Sequence, residues 1–228
     1  MTLIRRIYTY TFVLAISCLL PMAANAQKPV KVVPEMPDST AFLKGFAVSA
    51  DLIGPLMLGI SDNGHFEAAL RINLKDKYFP VVELGYGKAD HSDDVTRITY
   101  KTSAPYGRIG LDLNLMKNKH DSYRLYGGVR YAYTNFKYEF SHPGLDDPIW
   151  GQHADFQAKD VSCYYHWAEI VFGVDATIWG PVHLGWSGRY KKRLAYGKSE
   201  YGNCWYVPGF GKTGSTRLGG TFNIIIDI

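Results

Sequence analysis

Two stretches contain residue types that bind phosphate or metal ions. Pro208–Thr213 reads PGFGKT and resembles a phosphate loop, but that motif needs glycine where Tyr206 stands and a helix where an alternating segment follows. It therefore reads as a glycine-rich loop. The segment 139–162 also holds potential ligands whose spacing matches no metal template: His142, Asp146, Asp147, His153, Asp155 and Asp160. It reads as a solvated acidic loop, and we expect no metal and no cofactor.

Two cysteines and one histidine are the remaining candidates for chemistry. Cys163 and Cys204 are the two cysteines that would remain after removal of an N-terminal signal, and they could form a disulfide or stay as buried thiols. His166 lies on an apolar face four residues after Ser162. One interpretation is a catalytic pair that acts on lipid, and the other is a histidine at the level of lipid headgroups. Neither makes a convincing catalytic constellation, so no enzyme activity is expected.

A larger set of charged residues shares the polar face of the predicted strands. Its members are arginines and carboxylates in nearly equal numbers, as expected for side chains that pair in a confined space. They are Asp51, Glu67, Arg71, Glu83, Arg108, Asp112, Arg124, Arg130, Glu169, Asp175, Arg189, Arg217 and Asp227. We expect an ion-pair network that fills the interior and leaves no wide pore. A narrow ion path through the network is the alternative.

Eight segments position these charges by alternating apolar and polar residues, the pattern of β-strands. In 65–74, for example, Phe66 and Leu70 share one parity, and Glu67 and Arg71 share the other. The other segments are 46–52, 82–87, 108–115, 124–134, 168–178, 182–190 and 217–228. No helical period competes over a comparable length. The sequence predicts an all-β fold, an eight-stranded antiparallel up-and-down transmembrane β-barrel.

The connections between these segments alternate in length. Short turns are predicted near 75–77, 117–121 and 179–181, and long loops at 53–64, 88–105, 139–162 and 192–214. Short turns at one end and long loops at the other are typical of transmembrane barrels. With an even number of strands, both ends of the barrel segment would lie on the periplasmic side.

Alternation alone does not show which face meets water. Three features favour charges inside and lipid outside: arginine instead of lysine on the polar face, glycines on the same face, and aromatic residues near the strand ends of the apolar face. The aromatic residues are Tyr86, Tyr131, Tyr133, Tyr164, Trp186 and Tyr190. The alternative is a soluble periplasmic lipocalin-like barrel with an apolar interior.

The N-terminus and the composition limit the remaining possibilities. The chain has 228 residues and a net charge of +4, which gives no nucleic-acid footprint. Arg5, Arg6, an apolar stretch and Ala24-Asn25-Ala26 predict a signal peptide over 1–26, cleaved before Gln27. Lipidation of Cys18 is the alternative. Residues 27–43 read as a periplasmic leader, and 44–228 as the barrel.

Four runs resemble a known group of proteins: YYHWAEI at 164–170, GWSGRYK at 185–191, WYVPGFGK at 205–212 and GGTFNI at 219–224. The chain resembles small outer-membrane β-barrel proteins of the Bacteroidota, a family without assigned function. The resemblance implies an outer-membrane location, contact with outer-membrane lipid and assembly by the barrel assembly machinery. It implies no catalytic residues. One departure is Ile228, where many such chains end in an aromatic residue.

These observations lead to one expected function and two alternatives. The expected function is structural or surface-binding, with long extracellular loops that contact an unidentified ligand. The first alternative is a lipid-modifying outer-membrane enzyme that uses His166. The second is the soluble lipocalin-like barrel.

Overall fold

All eight predicted alternating segments form strands. The computed structural model describes residues 41–146, 153–197 and 204–228. Its elements, in chain order, are β1 (Leu43–Asp51), α1 (Ile53–Ile60), β2 (Asn63–Leu74), β3 (Tyr78–Ser92), β4 (Thr99–Asn114), β5 (Tyr123–Asp146), β6 (His153–Trp179), β7 (Val182–Tyr196), β8 (Tyr206–Val207), β9 (Gly211–Lys212) and β10 (Thr216–Asp227).

The eight long strands close into an antiparallel up-and-down barrel. Each of β1–β6 pairs with the next strand, and β10 pairs with β7 on one side and β1 on the other. The seam between β1 and β10 has five paired positions, from Ala47 with Asp227 to Asp51 with Asn223. By contrast, β5 and β6 pair along most of their lengths. The predicted eight-stranded antiparallel barrel is confirmed.

Apolar side chains cover the outside of the barrel, and charged side chains lie inside. On β6, Ile170 is 63% exposed, whereas the neighbouring Glu169 is 1% exposed. The six aromatic residues expected near the strand ends are exposed on the outer face. A lipocalin-like barrel needs the opposite polarity, with an apolar cavity and a polar outer wall.

The two ends of the barrel are built differently. At one end, called the short-turn end, tight connections join β2 to β3 and β6 to β7, with positive φ at Lys75, Asp76 and Gly180. At the other, called the long end, β3 and β4 extend through most of 88–105 and leave a connection at 93–98. β5 and β6 extend in the same way into 139–162. The prediction of long loops at these two places was therefore wrong, because polar and aromatic residues continue the strands beyond their apolar runs.

The connection at 53–64 contains the helix α1 where a loop was expected. The Gly54 N–H donates a hydrogen bond of 2.7 Å to Asp51 Oδ2 and so satisfies one amide of the first turn. A Cβ on Gly54 would lie 2.2 Å from the His65 carbonyl oxygen, because the helix packs closely on β2. Leu56 and Ile60 are exposed. Sequence analysis missed the helix because IGPLMLGI is apolar on all sides. Among the described residues, no helix is both long and apolar enough to cross a membrane.

The signal peptide predicted over 1–26 lies outside the described residues, as does most of the leader. The described chain begins at Ala41, and β1 begins at Leu43, within the last residues of the predicted leader.

Candidate functional site

Five arginines and five carboxylates form one buried network across the middle of the barrel. Glu83 lies at its centre and accepts hydrogen bonds from Arg108 at 3.0 Å, from Arg130 at 3.0 Å and from Arg189 at 2.6 and 3.3 Å. The alternation of β3 turns Glu83 inward, and the register places Arg108 of β4 directly opposite. The network consists of Glu67, Arg71, Glu83, Arg108, Asp112, Arg124, Arg130, Glu169, Asp175 and Arg189.

Two arginines join Glu83 to the carboxylates of β2 and β6. Arg108 contacts Glu67, and its Nε lies 3.0 Å from Glu169 Oε1. Arg189 lies 3.2 Å from Glu67 and 3.5 Å from Glu169. Because a guanidinium presents five donors in a planar fork, two arginines can serve three carboxylates at once.

Arg130 extends the network toward the short-turn end. It contacts Asp112 at 2.8 Å, and Arg71 then links Asp112, at 3.6 Å, to Asp175, at 3.0 Å. Arg124 also contacts Asp175. Positive and negative charges are equal in number, so the network avoids the cost of an uncompensated buried charge.

Three residues expected in this network lie elsewhere. Asp51 is buried at the end of β1, where its carboxylate lies 3.3 Å from His65. Arg217 donates to the Lys212 carbonyl at the long end, and Asp227 lies 3.0 Å from His183 at the short-turn end. All three share the inward parity, but Arg217 and Asp227 occupy strand ends away from the middle of the barrel. Asp51 lines the central cavity, but its carboxylate accepts hydrogen bonds from the Gly54 and Phe222 amides and pairs with His65 instead of an arginine.

Sequence analysis missed two groups that contact this layer. Tyr106 on β4 donates a hydrogen bond of 2.8 Å to Glu67. Lys191 on β7 points inward, and its Nζ donates to the carbonyl oxygens of Gly209 at 2.7 Å and Phe210 at 3.4 Å. Lys191 lies two residues after Arg189 on the same strand, and this spacing predicts that it shares the inward face. The signal was missed because lysine was interpreted as a residue of turns and loops.

The segment 204–214 folds into the barrel from the long end, and we call it the plug hairpin. Its short strands β8 and β9 pair with each other, and residues 206–210 are buried. Arg108 donates to the Gly209 carbonyl at 3.0 Å, and Tyr100 donates to the Tyr206 carbonyl at 2.8 Å. The glycine-rich stretch predicted as a loop thus fills the lumen at the long end. The alternation of apolar and polar residues could not predict this placement, because it locates only the strands.

Aromatic rings surround the plug hairpin, so the lumen has two layers. Phe210 lies 4.9 Å from Tyr165 and 5.8 Å from Trp167, measured between ring centroids. Gly209 has φ +79°, and a Cβ there would lie 2.6 Å from the Tyr106 ring. The expectation of a lumen filled by ion pairs alone was therefore incomplete, because the long end is packed with aromatic side chains.

Little space remains between these layers. The cavity beside Glu67, Glu83 and Arg71 has a volume of about 10 Å³, which is about the size needed for one water molecule. A larger cavity of about 260 Å³ opens at the short-turn end and stops at Arg71 and Arg124.

The rim of the larger cavity is organised by Asp76. Its carboxylate contacts Lys44 at 2.5 Å, Asn73 at 2.7 Å and His120 at 2.6 Å. Burial raises the pKa of Asp76, but the hydrogen bonds from these three residues outweigh it and hold the pKa below the usual 3.8.

An aromatic cleft of about 300 Å³ lies at the long end. The Trp205 ring stacks on His91 with centroids 4.2 Å apart and an angle of 5° between the planes. Ile98, Tyr100 and Phe140 complete its apolar wall, and the side chains come from β3, the 93–98 connection, β4, β5 and the plug hairpin.

His166 lies on the outer face at the same end. Its Nδ1 lies 2.7 Å from the Tyr131 hydroxyl, and the rings of Tyr133 and Tyr164 lie 4.6 and 5.7 Å away. Within the described chain, Tyr131 is the hydrogen-bond partner found for this ring, and Ser162 is not among its contacts. The geometry is that of an aromatic cluster without a paired nucleophile.

The predicted acidic loop is described only in part. Asp147 lies outside the described residues, as do the side chains of Asp146, His153 and Asp155. Asp160 is exposed and lies 3.3 Å from Lys137. Among the described residues, no cluster of potential ligands could hold a metal ion.

Similar solved structures were found among outer-membrane proteins. Neisserial surface protein A (NspA) is 12% identical over 82% of this chain and 99% of its own, with a TM-score of 0.43. A major outer membrane protein of Thermus thermophilus is 10% identical over 81% and 98%, with a TM-score of 0.45. Ail of Yersinia pestis is 11% identical over 80% and 93%, with a TM-score of 0.36. No curated protein matches the sequence.

One family model matches nearly the whole chain. It covers residues 6–227, which include every described strand, the ion-pair network and the plug hairpin. The protein therefore belongs to the family described as Domain of unknown function (DUF6048).

Proposed function

We propose that this protein is an outer-membrane β-barrel, sealed along its lumen, that acts at the cell surface through its long end. The observation that carries the proposal is the reversed polarity of the barrel wall. The side chains of Ile170, Phe172 and Leu218 are exposed on the outer wall, while those of Glu169 and Asp112 are almost fully buried inside the barrel. In water this arrangement would expose a continuous apolar wall, and in a bilayer the same wall is solvated by lipid.

The aromatic residues of the outer wall support this placement. Tyr78 begins β3 at the short-turn end, and Tyr86 lies on the same outer face eight residues later. Eight residues of strand span about 27 Å, which a tilt of about 40° reduces to about 20 Å along the membrane normal. This height is close to the apolar band of about 25 Å in barrels that cross an outer membrane.

The proposed orientation follows from the connections and the signal sequence. The signal peptide would be cleaved near Ala26, and the leader would remain in the periplasm with the short-turn end. Outer-membrane barrels usually place short turns in the periplasm and longer structures outside. The barrel assembly machinery would insert the chain, and outer-membrane lipid would surround it.

A sealed lumen leaves the long end as the functional surface. The plug hairpin and the ion pairs occupy the space that a solute would need. The aromatic cleft beside Trp205 and His91 is concave, largely apolar and open, features shared by ligand sites. We assign the contact with an extracellular ligand to this end of the barrel.

Two measurements test the proposal. In detergent, the folded barrel should migrate differently from the boiled chain on a gel, and in a planar bilayer the wild-type protein should give no stable conductance steps. For orientation, a cysteine replacing Val95, which lies exposed between β3 and β4, should react with a membrane-impermeant maleimide on intact cells. The matched Lys75→Cys variant at the short-turn end should react only after permeabilisation. If only Lys75→Cys is labelled on intact cells, the short-turn end faces outward and the proposed orientation is wrong. Steady conductance would refute the sealed lumen.

A further inference from the structure

Two buried thiols lie in the packed layer where the plug hairpin begins. Cys204 is the first residue of the hairpin, and Cys163 lies on the inner face of β6. Both are free thiols in this structure and belong to the same buried cluster as Tyr165 and Phe210. Cys163 also lies 3.3 Å from the Gly197 carbonyl oxygen. The wall of the barrel and the plug hairpin thus each contribute one cysteine to the same buried cluster.

This arrangement differs from a chance pair of buried cysteines. The residues are 41 positions apart in the sequence, yet the fold places both of them in one packed layer, one on the barrel wall and one on the plug hairpin. The neighbouring Tyr165 of β6 donates a hydrogen bond of 2.8 Å to the Gly214 carbonyl at the end of the plug hairpin, so the two segments that carry the cysteines are already packed against each other. Cys18 lies in the predicted signal peptide, so an exported chain would keep these two cysteines in a compartment where disulfides persist.

We propose that Cys163 and Cys204 form a disulfide that fixes the plug hairpin to β6 and keeps the lumen closed. The inference rests on the proposed outer-membrane location, because that location supplies the oxidant. The sequence left open whether the two cysteines form a disulfide or stay as buried thiols, and both are buried in the structure.

The chemistry requires a disulfide-bearing thiol oxidase of the periplasm. One cysteine thiolate attacks the oxidase disulfide and forms a mixed disulfide, with one oxidase sulfur leaving as a thiolate. The second cysteine thiolate then attacks the first cysteine's sulfur, so the Cys163–Cys204 bond forms and the mixed disulfide breaks. Two protons leave the cysteines, and two electrons reduce the oxidase to its dithiol. Because both thiols are buried in the folded barrel, the exchange takes place before the hairpin packs.

The bond itself is tested by counting thiols. Full-length protein is purified from outer membranes without reductant, denatured, and treated with a maleimide of known mass. We expect no added mass before reduction and two adducts after it, with a peptide pair that links Cys163 to Cys204. The single variants Cys163→Ser and Cys204→Ser should each take one adduct without reduction. Reaction of both wild-type thiols without reduction would overturn the inference.

The proposed role of the bond has its own measurement. Lys212 pairs with Tyr206 in the hairpin, is exposed, and offers a trypsin site. In folded protein, we expect cleavage after Lys212 to be at least about tenfold faster in the Cys163→Ser/Cys204→Ser double variant than in the oxidised wild type, since the hairpin can then open locally. Equal cleavage rates would refute the role in fixing the hairpin.

These results separate the inference from the proposed function. Heat-modifiable migration and surface labelling of Val95→Cys, made in the double serine background, do not depend on the disulfide. A barrel that passes both tests but has free thiols would leave the outer-membrane proposal standing and remove the disulfide. A barrel that fails both tests would remove the location on which the disulfide depends.

Discussion

Replacement of Glu83 by alanine should be the most damaging single change in the ion-pair network. Glu83 accepts four contacts of 2.6–3.3 Å from three arginines. Counted as separate charge-assisted hydrogen bonds, these contacts would total about 6–12 kcal/mol. That sum overstates the loss, because Arg108 and Arg189 keep Glu67 and Glu169 as partners, and Arg130 keeps Asp112. The remaining penalty is that of one uncompensated buried positive charge, so we expect the free energy of unfolding to fall by about 3–5 kcal/mol.

The assay is reversible urea unfolding in detergent micelles or thin bilayers, followed by tryptophan fluorescence. The slope of the unfolding free energy against urea concentration should be unchanged, so the lost stability should appear as a lower urea concentration at the transition midpoint. The matched control is Glu139→Ala, which removes an exposed glutamate from the outer face of β5 and should change stability by less than about 0.5 kcal/mol. Glu83→Gln keeps the shape and should lose less than Glu83→Ala. A loss below about 1 kcal/mol for Glu83→Ala would show that the network does not stabilise the fold in the way described.

Three further changes test other parts of the structure. Lys191→Met removes the two hydrogen bonds that Lys191 donates to the plug hairpin and should lower the free energy of unfolding by about 1–3 kcal/mol, with faster amide hydrogen exchange at 206–210. Unchanged exchange would contradict the assigned contact. Gly185→Ala places a Cβ 2.4 Å from a lumen carboxylate oxygen and should destabilise the barrel by about 1–3 kcal/mol, whereas the matched outward Gly188→Ala meets nothing nearer than 4.0 Å and should be neutral. Asp76 has a lowered pKa in the folded state, so its contribution is present above the unfolded value of 3.8 and is lost as the pH falls through the folded pKa. Unfolding measured between about pH 5 and pH 2 should therefore show a weaker pH dependence in Asp76→Asn, and equal slopes would contradict this.

The sequence predicted the barrel wall well because alternation has a direct geometric meaning. Successive side chains of a strand point to opposite faces, so one clear segment such as 65–74 fixes which residues share the inside. The same parity placed Arg108 and Glu169 on a common face, and the register between strands then brought them within contact distance. Parity gives no information on height along the barrel, which is why Arg217 and Asp227 were grouped with the central charges.

The filling of the lumen could not be predicted in the same way. The plug hairpin has no alternation over any useful length, and its burial depends on contacts with strands that are distant in the sequence. Lys191 was missed because its residue type suggested a loop, although its parity suggested the lumen. The helix α1 was missed because an eight-residue apolar run can form a helix, a strand or a loop, and only its packing on β2 decides between them.

The short seam between β1 and β10 has a consequence for how the barrel fails. Five paired positions close the ring there, while β1 is the shortest of the eight long strands. Because this seam has fewer paired positions than any other in the ring, strand separation should start there, between Ala47 and Asp51, and leave the β5–β6 pairing intact. The amides of this line should be the first in the wall to exchange with solvent, ahead of those that border the ion pairs.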